Sequence, residues 1–261
     1  MGVDDMTYLL DVAVEAGEAA ASILLEKFTD SVLRSSAKSD ATDLVSEADR
    51  AAETTIRRVI HTHRPMDSLM GEESAEVRGT SDLRWIIDPL DGTENYLREL
   101  NPWCTSIACE DDRGTIVGVV VDPMRSEIFT ALRGAGVIAP GSRQHAGSSA
   151  PNRLEEALVV TGRLSTQSSR SLFDHAGKVR NFGCVALSLA WTAAGRCDIC
   201  YFENERLSRW DAAAGGLLCT EAGLSVEWLS PLQPGAPPRL VVGPPHLVEA
   251  LASAGWKGSR A

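Results

Sequence analysis

The stretch from Trp85 to Pro102 collects acidic residues at the end of an apolar segment. Asp88 and Asp91 lie three residues apart, directly after residues that predict a strand, and Gly92 follows at the start of a predicted helix. A second acidic stretch, Gly71–Ser74, stands upstream. Carboxylates gathered beside a helix N-terminus suit a hard divalent cation and a phosphate group together. The pattern therefore indicates phosphate-ester chemistry.

Two helices are predicted ahead of these residues. Apolar residues at helical spacing predict an amphipathic helix over Met6–Phe28. The polar residues 32–42 favour a loop or a short hairpin. A second helix is expected to start near Ser46, with Asp49 as its capping-box partner, and to end at about His61.

Strands and helices then alternate without a clean βαβ rhythm, which favours a layered α/β or α+β plan over a dinucleotide-binding fold. Residues 134–151 are dense in Gly, Ser, Ala and Pro, so we divide the chain into halves at 1–140 and 141–261. Strands are predicted at 84–87, 116–121, 127–131, 157–161, 198–203, 225–229 and 240–242. Helices are predicted at 186–194, after Asp211 up to a C′ glycine at Gly223, and at 246–254.

The overall composition of the 261-residue chain is that of a globular protein, with 44% hydrophobic and 23% charged residues. The net charge of −11 argues against nucleic acid as a partner, because phosphate backbones attract clustered Lys and Arg. No apolar stretch reaches the roughly 18 residues that a membrane span needs. The acidic N-terminus lacks the basic region of a signal peptide. We expect a cytoplasmic protein with neither a nucleic-acid nor a membrane partner.

Six cysteines raise the question of a metal or disulfide role. Cys197 and Cys200 have the spacing of a zinc or redox half-site, but neither a second such pair nor a paired-histidine cluster accompanies them. Their context alternates like a strand in which the two face opposite ways. We expect buried, reduced thiols.

Four acidic motifs follow one another along the chain: DLVSEAD at Asp43–Asp49, GEES at Gly71–Ser74, WIIDPLDGT at Trp85–Thr93 and WDAAAG at Trp210–Gly215. In this order and spacing they resemble the inositol monophosphatase superfamily, the magnesium-dependent, lithium-sensitive phosphatases. The resemblance covers nearly the whole chain. It implies an αβαβα sandwich, a homodimer, and hydrolysis of a small phosphomonoester with Mg²⁺.

The resemblance also implies a two-metal site. Asp88 would bridge two Mg²⁺ ions, Glu72 and the Leu90 carbonyl would complete the first site, and Asp91 and Asp211 would hold the second. Two ions can stabilise both the attacking and the leaving oxygen, and a set of oxygen ligands suits Mg²⁺. Taken singly, the aspartates have structural alternatives as turn formers or as a helix N-cap.

The catalytic roles rest on the same resemblance. Thr93 and Glu72 match the pair that polarises the attacking water, with Asp49 orienting Thr93. Backbone N–H groups of Gly92 and Thr93 would bind the phosphate, where a side chain at 92 would obstruct close approach. The structural alternatives are a helix-start residue for Thr93 and a capping carboxylate for Asp49.

The substrate-binding positions depart from the family pattern. Gly183, Cys184, Val185 and Glu203 match the residues that hold the alcohol, together with Asp91. The family usually has a small or polar residue where Cys184 stands. Glu203 lies eight residues before the WDAAAG aspartate instead of the usual seven, so Glu205 is a rival.

Three further features leave alternatives open. Glu73 and the loop with Lys38 resemble a weaker third Mg²⁺ site, although solvated charges explain them equally well. The segment Gly162–Lys178 looks shortened. Glu94 follows the DGT triplet and is either an exposed helix-start residue or a contact for a cationic substrate.

The leading substrate is inositol 1-phosphate, because it is frequent in the family. Histidinol phosphate, fructose 1,6-bisphosphate, a nucleotide 3′-phosphate and a specialised sugar or nucleoside phosphate are rivals. A different class of function is a catalytically silent ligand-binding protein on the same fold. The intact acidic motifs argue against it.

Overall fold

The computed structural model describes residues 2–34, 41–140, 151–162, 176–203, 207–229 and 239–253. Helices α1 (Val3–Arg34) and α2 (Ala41–His63) form an outer layer. The predicted helix over Met6–Phe28 is confirmed and is longer at both ends. Apolar residues of both helices pack against the first sheet in one buried cluster, which includes Leu9, Ala16 and Ile56.

The loop predicted at 32–42 is wrong at both ends. Helix α1 continues to Arg34 and α2 begins at Ala41, while residues 35–40 lie outside the described part of the chain. Ser46 is therefore inside α2, and the predicted capping box with Asp49 is wrong. Leu44 and Ala48 lie four residues apart, which extends the helical apolar spacing toward Ala41.

A six-stranded sheet forms the second layer, in the order β1 to β6. Strands β1 and β2 are parallel, and the later neighbours pair antiparallel. The helix predicted after Asp91 is the short α3 (Thr93–Leu97). The strands predicted at 84–87, 116–121 and 127–131 are confirmed, whereas β1, β3 and β6 were not predicted. Their bounds are β1 Ser68–Gly71, β2 Arg84–Asp91, β3 Cys104–Asp111, β4 Gly114–Asp122, β5 Glu127–Leu132 and β6 Gly136–Ile138.

Strand β3 presents two chemically different faces. Ile107 and Cys109 join the apolar cluster with α1 and α2. Cys104 and Ala108 join the cluster on the opposite side of the sheet. This alternation is expected of a strand buried on both faces.

The middle layer consists of α4 (Val185–Ala193) and α5 (Arg209–Glu221). Two glycines let α5 approach its neighbours closely. A Cβ at Gly118 of β4 would lie 2.8 Å from the Ala214 carbonyl oxygen, and one at Gly215 would lie 2.6 Å from the Leu189 Cβ of α4. Helix α5 is therefore held between the first sheet and α4.

A second sheet and a last helix complete the fold, with strand order β10-β11-β9-β7-β8. One face of this sheet packs on α4 and α5, and the other packs on α6. The predicted αβαβα sandwich is confirmed. The bounds are β7 Leu158–Thr161, β8 Lys178–Arg180, β9 Ile199–Glu203, β10 Ser225–Leu229, β11 Arg239–Gly243 and α6 Pro245–Ser253.

The predicted elements of the second half match this layer order. Gly223 follows α5 with φ +79°, as expected for a C′ glycine. The first sheet uses residues up to 138 and the second starts at 158, but residues 141–150 lie outside the described part of the chain, so the division at 140 stays a prediction. All six cysteines are buried and free. Among the described residues, no helix is both long and apolar enough to cross a bilayer.

Candidate active site

A tight turn at Gly92 ends β2 and starts α3. Pairing between β2 and β3 is irregular between Asp88 and Asp91, which frees the chain to turn. Gly92 has φ +94°, and a Cβ there would lie 2.9 Å from the Pro102 carbonyl oxygen. Both the backbone angle and the packing therefore require glycine.

Four carboxyl groups, those of Glu72, Asp88, Asp91 and Asp211, influence one another beside this turn. Burial raises the pKa of Asp88 well above its usual value, and the charges of Asp91, Glu72 and Asp211 raise it further. Burial also raises the pKa of Glu72, with added effects of Asp211 and Glu73 and a partly offsetting hydrogen bond to Asp88, although much of Glu72 is exposed. The site thus brings together the four acidic residues predicted from three separate motifs.

Asp91 is held by donors from α4. Its Oδ2 accepts the Ala186 backbone N–H at 2.6 Å and the Cys184 thiol at 3.1 Å. Burial raises the pKa of Asp91 to about 7, the two donors lower it, and the charge of Asp211 raises it. These contacts leave the direction of Oδ2 fixed by the start of α4.

Asp211 combines a structural role with its position in the site. Its Oδ2 accepts the Ser208 backbone N–H at 2.6 Å, which completes a capping box at the start of α5. Burial raises the pKa of Asp211 to about 6, and this hydrogen bond lowers it. Ser208 is the N-cap of α5 and Asp211 is at N3, so the N-cap alternative for Asp211 is wrong. The capping-box contact and the metal-ligand prediction are compatible, because a carboxylate has two oxygens.

The loop that carries Glu72 is fixed by a buried residue of α2. Glu53 accepts the Glu73 backbone N–H at 2.8 Å and pairs with Arg57 at 2.6 Å. A Cβ at Gly71 would lie 2.6 Å from the Glu53 carboxylate. Glycine at 71 therefore lets Glu53 hold the acidic loop against α2.

Thr93 and Asp49 do not form the contact that was predicted. The Thr93 hydroxyl donates to the Leu90 carbonyl oxygen at 3.1 Å. Asp49 is buried, and its Oδ1 has no hydrogen-bond partner among the described residues. Burial, followed by the charges of Glu73, Glu72 and Glu53, raises the pKa of Asp49 to about 8. The role of Asp49 in orienting Thr93 stays a prediction without a direct contact.

Comparison with known proteins assigns the chain to a family. A model of the inositol monophosphatase family matches residues 5–254. The chain belongs to the inositol monophosphatase family. Family membership makes it a phosphatase, a phosphoric monoester hydrolase.

Relatives of this family member carry two different names. An inositol-1-monophosphatase of Rhizobium meliloti is 37% identical over 259 residues, covering 93% of this chain and 94% of the relative. The Nus factor SuhB of Pseudomonas aeruginosa is 37% identical over 232 residues, covering 84% of each. Among solved structures, SuhB of Bartonella henselae is 31% identical with a TM-score of 0.79, covering 96% of this chain and 100% of the other.

The residues present fit the magnesium that the family generally requires. The charges that act most strongly on Asp88 are those of Asp91, Glu72, Asp211 and Cys104, and each of them raises its pKa. Carboxylate and carbonyl oxygens are the ligands that Mg²⁺ prefers. A divalent cation would therefore relieve the repulsion that the pKa shifts record.

Among the described residues, the ligand atoms that lie within 4.8 Å of one another belong to Asp91, Cys104 and Cys184. Thiols are poor ligands for Mg²⁺, so this group does not enlarge the magnesium site. Burial raises the pKa of Cys104 to about 11 and raises that of Cys184 as well. The predicted metal ligands and the thiols thus meet at Asp91.

The predicted substrate residues fall into two places. Gly183, with φ +69°, precedes Cys184 at the N-cap of α4 and Val185 in its first turn, all beside Asp91. Glu203 ends β9 in the second sheet, opposite Arg239, and lies on the same face of the strand as Tyr201, which packs toward α6. The structure therefore does not bring Glu203 to the Asp91 group, and its substrate role stays a prediction.

Several predicted features are exposed or lie outside the described residues. Glu94 pairs with Arg98 at 2.6 Å on the surface, which favours the helix-start alternative. Lys38, Glu205 and residues 163–175 lie outside the described part, so the third metal site, the rival glutamate and most of the shortened rim are untested. Glu73 is exposed.

Three residues that support this family site were not predicted. Glu53 holds the acidic loop, and its spacing of four from Arg57 was the available signal. The Asn95 amide donates to the Pro102 and Phe182 carbonyl oxygens at 2.6 and 2.7 Å and so ties α3 to the turn before α4. Glu110 of β3 is bound by Arg209, two residues before Asp211, and nothing local in the sequence pointed to that contact.

Proposed function

We propose that this phosphatase is a Mg²⁺-dependent phosphomonoesterase that hydrolyses a small polyol or sugar phosphate, with inositol 1-phosphate as the first candidate. The observation that carries the proposal is the group of four carboxyls beside the Gly92 turn, in which the charges that act most strongly on Asp88 all raise its pKa. Glu72, Asp88, Asp91, Asp211 and the Leu90 carbonyl are the proposed ligands of two Mg²⁺ ions. A weaker third ion near Glu73 and the loop that contains Lys38 is an alternative.

Mg²⁺, when bound, would lend positive charge to the phosphate oxygens and make water near the site more acidic. Glu72 is the proposed base that takes a proton from the attacking water, because it is the most exposed of the four carboxyls and its pKa is raised. The Thr93 hydroxyl uses its hydrogen to reach the Leu90 carbonyl oxygen. Its lone pairs remain to accept a hydrogen bond from that water.

The phosphate is proposed to lie against the Gly92 and Thr93 backbone. The alcohol would lie toward Asp91 and the Gly183–Val185 turn, with Glu203 as a further predicted contact. Asn95 bonds both sides of this space, since it donates to the carbonyl oxygens of Pro102 and Phe182. The Asn95 side chain therefore positions the backbone on both the proposed phosphate side and the proposed alcohol side of this space.

Phosphate release from a substrate panel, with Mg²⁺ and with EDTA, tests the proposal. The panel holds inositol 1-phosphate, histidinol phosphate, fructose 1,6-bisphosphate, nucleoside 3′- and 5′-phosphates and an amino-sugar phosphate. One strongly preferred substrate that requires Mg²⁺ is the expected result. Release that is equal in EDTA would contradict the metal-dependent mechanism.

The substitution Glu72→Gln tests the proposed base. The amide cannot accept the proton, so turnover is expected to fall by about 100-fold or more while the fold is kept. Glu94→Gln is the matched control, since Glu94 is exposed and pairs with Arg98. Unchanged turnover in Glu72→Gln would contradict the assignment.

A second candidate comes from the relatives that are named Nus factors, one of which covers 84% of this chain. On that reading the chain acts as a Nus factor or as a catalytically silent ligand-binding protein, and the absence of a nucleic-acid partner stays a prediction. No turnover on any phosphate, with Mg²⁺-induced stabilisation retained, would favour this candidate.

A homodimer and a cytoplasmic location are also proposed, supported by the family resemblance. Sedimentation equilibrium at several protein concentrations measures the first. Fractionation of the source cells measures the second.

A further inference from the structure

Three side chains from three elements converge at Asp91. Asp91 ends β2, Cys104 begins β3 and Cys184 is the N-cap of α4. The Cys184 sulfur lies 3.1 Å from Asp91 Oδ2 and 3.6 Å from the Cys104 sulfur, and the Cys104 sulfur lies 4.0 Å from the same oxygen. The two thiols are buried. Asp91 belongs both to this group and to the group of four carboxyls beside the Gly92 turn.

This triangle has the size of one face of a tetrahedral zinc site. With Zn–S near 2.3 Å and Zn–O near 2.0–2.2 Å, tetrahedral geometry separates neighbouring ligand atoms by about 3.5–3.8 Å. The three observed separations, 3.1, 3.6 and 4.0 Å, bracket that range. We propose that Asp91, Cys104 and Cys184 bind one borderline or soft divalent cation, Zn²⁺ or Cd²⁺, in a site that is distinct from the magnesium site and shares Asp91 with it.

The ligand chemistry separates the two classes of cation. Thiolates select zinc and softer ions, whereas Mg²⁺ requires oxygen ligands in an octahedron. The Ala186 backbone N–H already holds Asp91 Oδ2 at 2.6 Å, and such a hydrogen bond to a ligating carboxylate orients it for a metal. The three ligand atoms are therefore preorganised by β2, β3 and α4.

Binding requires proton loss and no oxidant. Two S–H bonds break, two sulfur–metal bonds form, and two protons leave to the solvent. A disulfide between the same residues would instead need an oxidant and a sulfur–sulfur distance near 2.05 Å, against the observed 3.6 Å. Cation binding thus fits the observed separation with less movement.

Occupation of this soft-metal site is expected to inhibit the phosphatase. A Zn²⁺ or Cd²⁺ ion bound to Asp91 Oδ2 would compete with the second Mg²⁺ for the negative charge of this carboxylate, which that Mg²⁺ is proposed to use. The inhibition therefore rests on the proposed function, whereas the binding does not.

The test is titration of the reduced, metal-free full chain with Cd²⁺ in the presence of excess Mg²⁺. Binding to thiolates is read from sulfur-to-metal charge-transfer absorption in the ultraviolet and from the protons released. The variants are Cys104→Ala and Cys184→Ala. Cys109→Ala is the matched control, because Cys109 is a buried thiol of the same strand on the opposite face.

We expect one Cd²⁺ and about two protons released per wild-type chain, consistent with two thiolate ligands. Either site variant should bind at least tenfold more weakly with reduced absorption, and Cys109→Ala should match the wild type. Removal of the cation with EDTA should restore the starting spectrum. Absent absorption in the wild type, equal absorption in Cys184→Ala, or reversal only by a reductant would each overturn the proposal.

Turnover measured in the same titration addresses inhibition separately. Cd²⁺ is expected to inhibit the wild type at a concentration at least tenfold lower than it inhibits Cys184→Ala. Inhibition of equal strength in both would overturn the link to this site. Absence of turnover before any Cd²⁺ is added would count against the proposed function, while the absorption would still decide the binding.

Discussion

Two buried carboxyl groups in this molecule, those of Glu110 and Asp88, have opposite surroundings. Glu110 of β3 is buried and is bound by two arginines, through Nε of Arg84 at 2.7 Å and Nε of Arg209 at 2.9 Å. Asp88 is equally buried, yet the charges that act most strongly on it are negative. Burying a charge is costly unless it is paired, so the first group is completed within the chain and the second is suited to a cation from solution.

The two groups are physically linked. Arg84 begins the strand that ends in Asp91, and Arg209 begins the helix that carries Asp211. Glu110 therefore connects the starts of the two elements that carry proposed metal ligands. Ser106, on the same face of β3, adds a hydrogen bond to the Trp210 carbonyl oxygen at 3.4 Å. The ion-paired Glu110 thus holds in position the two elements that carry Asp91 and Asp211.

The largest effect is expected from Asp88→Asn. Loss of the proposed bridging ligand should lower turnover about 1000-fold or more and abolish the stabilisation by Mg²⁺. In EDTA at pH 8 the same variant should be more stable than the wild type, by on the order of 1 kcal/mol, because an amide neither carries a charge at this buried position nor has to take up a proton on folding. Denaturant unfolding with and without Mg²⁺ measures both.

Asp82→Asn is the control, since Asp82 is exposed at the start of the same segment. If Asp88→Asn were less stable than the wild type in EDTA, the contrast between the two groups would be broken.

Glu110→Gln should give the reverse pattern. The amide leaves two arginines without their anion, and unfolding should become easier by about 1–2 kcal/mol, since both arginines are half-exposed and screened by solvent. Turnover should fall by about tenfold at most, because the residue acts through α5 and touches no predicted ligand. Glu76→Gln is the matched control, as Glu76 meets the same Arg84 at 3.9 Å from an exposed position. A loss of turnover as large as that of Asp88→Asn would contradict the expected difference between Glu110, which supports the site, and Asp88, which is a proposed metal ligand.

A further expected effect is a pH dependence of stability without metal. Burial raises the pKa of Asp211 to about 6, of Asp91 to about 7 and of Asp49 to about 8, from an ordinary 3.8. Between these values the native state binds more protons than the unfolded chain, so stability falls as pH rises. In EDTA the melting temperature should therefore decline from about pH 4 to pH 8.

Asp49→Asn should flatten the upper part of this decline, since the pKa of Asp49, about 8, is the highest of the three. Saturating Mg²⁺ should reduce the decline by favouring the ionised ligands. A melting temperature that rises with pH in EDTA would contradict the uncompensated character of the site.

The sequence predicted most of the site because its ligands sit in short motifs. The Gly92 turn and the two carboxyls of β2 are local. The contacts that were missed join distant residues: Cys104 meets Cys184 80 positions away, and Glu110 meets Arg209 99 positions away. Such pairs arise from strand register and helix packing, which one sequence does not reveal.

The missed elements have similar reasons. Strand β3, CTSIACED, mixes small, polar and apolar residues because its two faces meet different layers, so neither alternation nor a continuous apolar run is visible. The start of α2 was placed too late because polar residues near Ser46 looked like a cap. Tertiary packing determines both the residue pattern of β3 and the start of α2.

Strand β3 carries a consequence for the evolution of this chain. Exchanges within one face of the strand alter a single layer, either the apolar cluster under α1 and α2 or the supports of α5. Insertion or deletion of one residue would instead turn Glu110 and Ser106 into the apolar cluster and Ile107 toward α5. Related sequences should therefore vary in residue type along this strand while keeping its length, even where loops elsewhere grow or shrink.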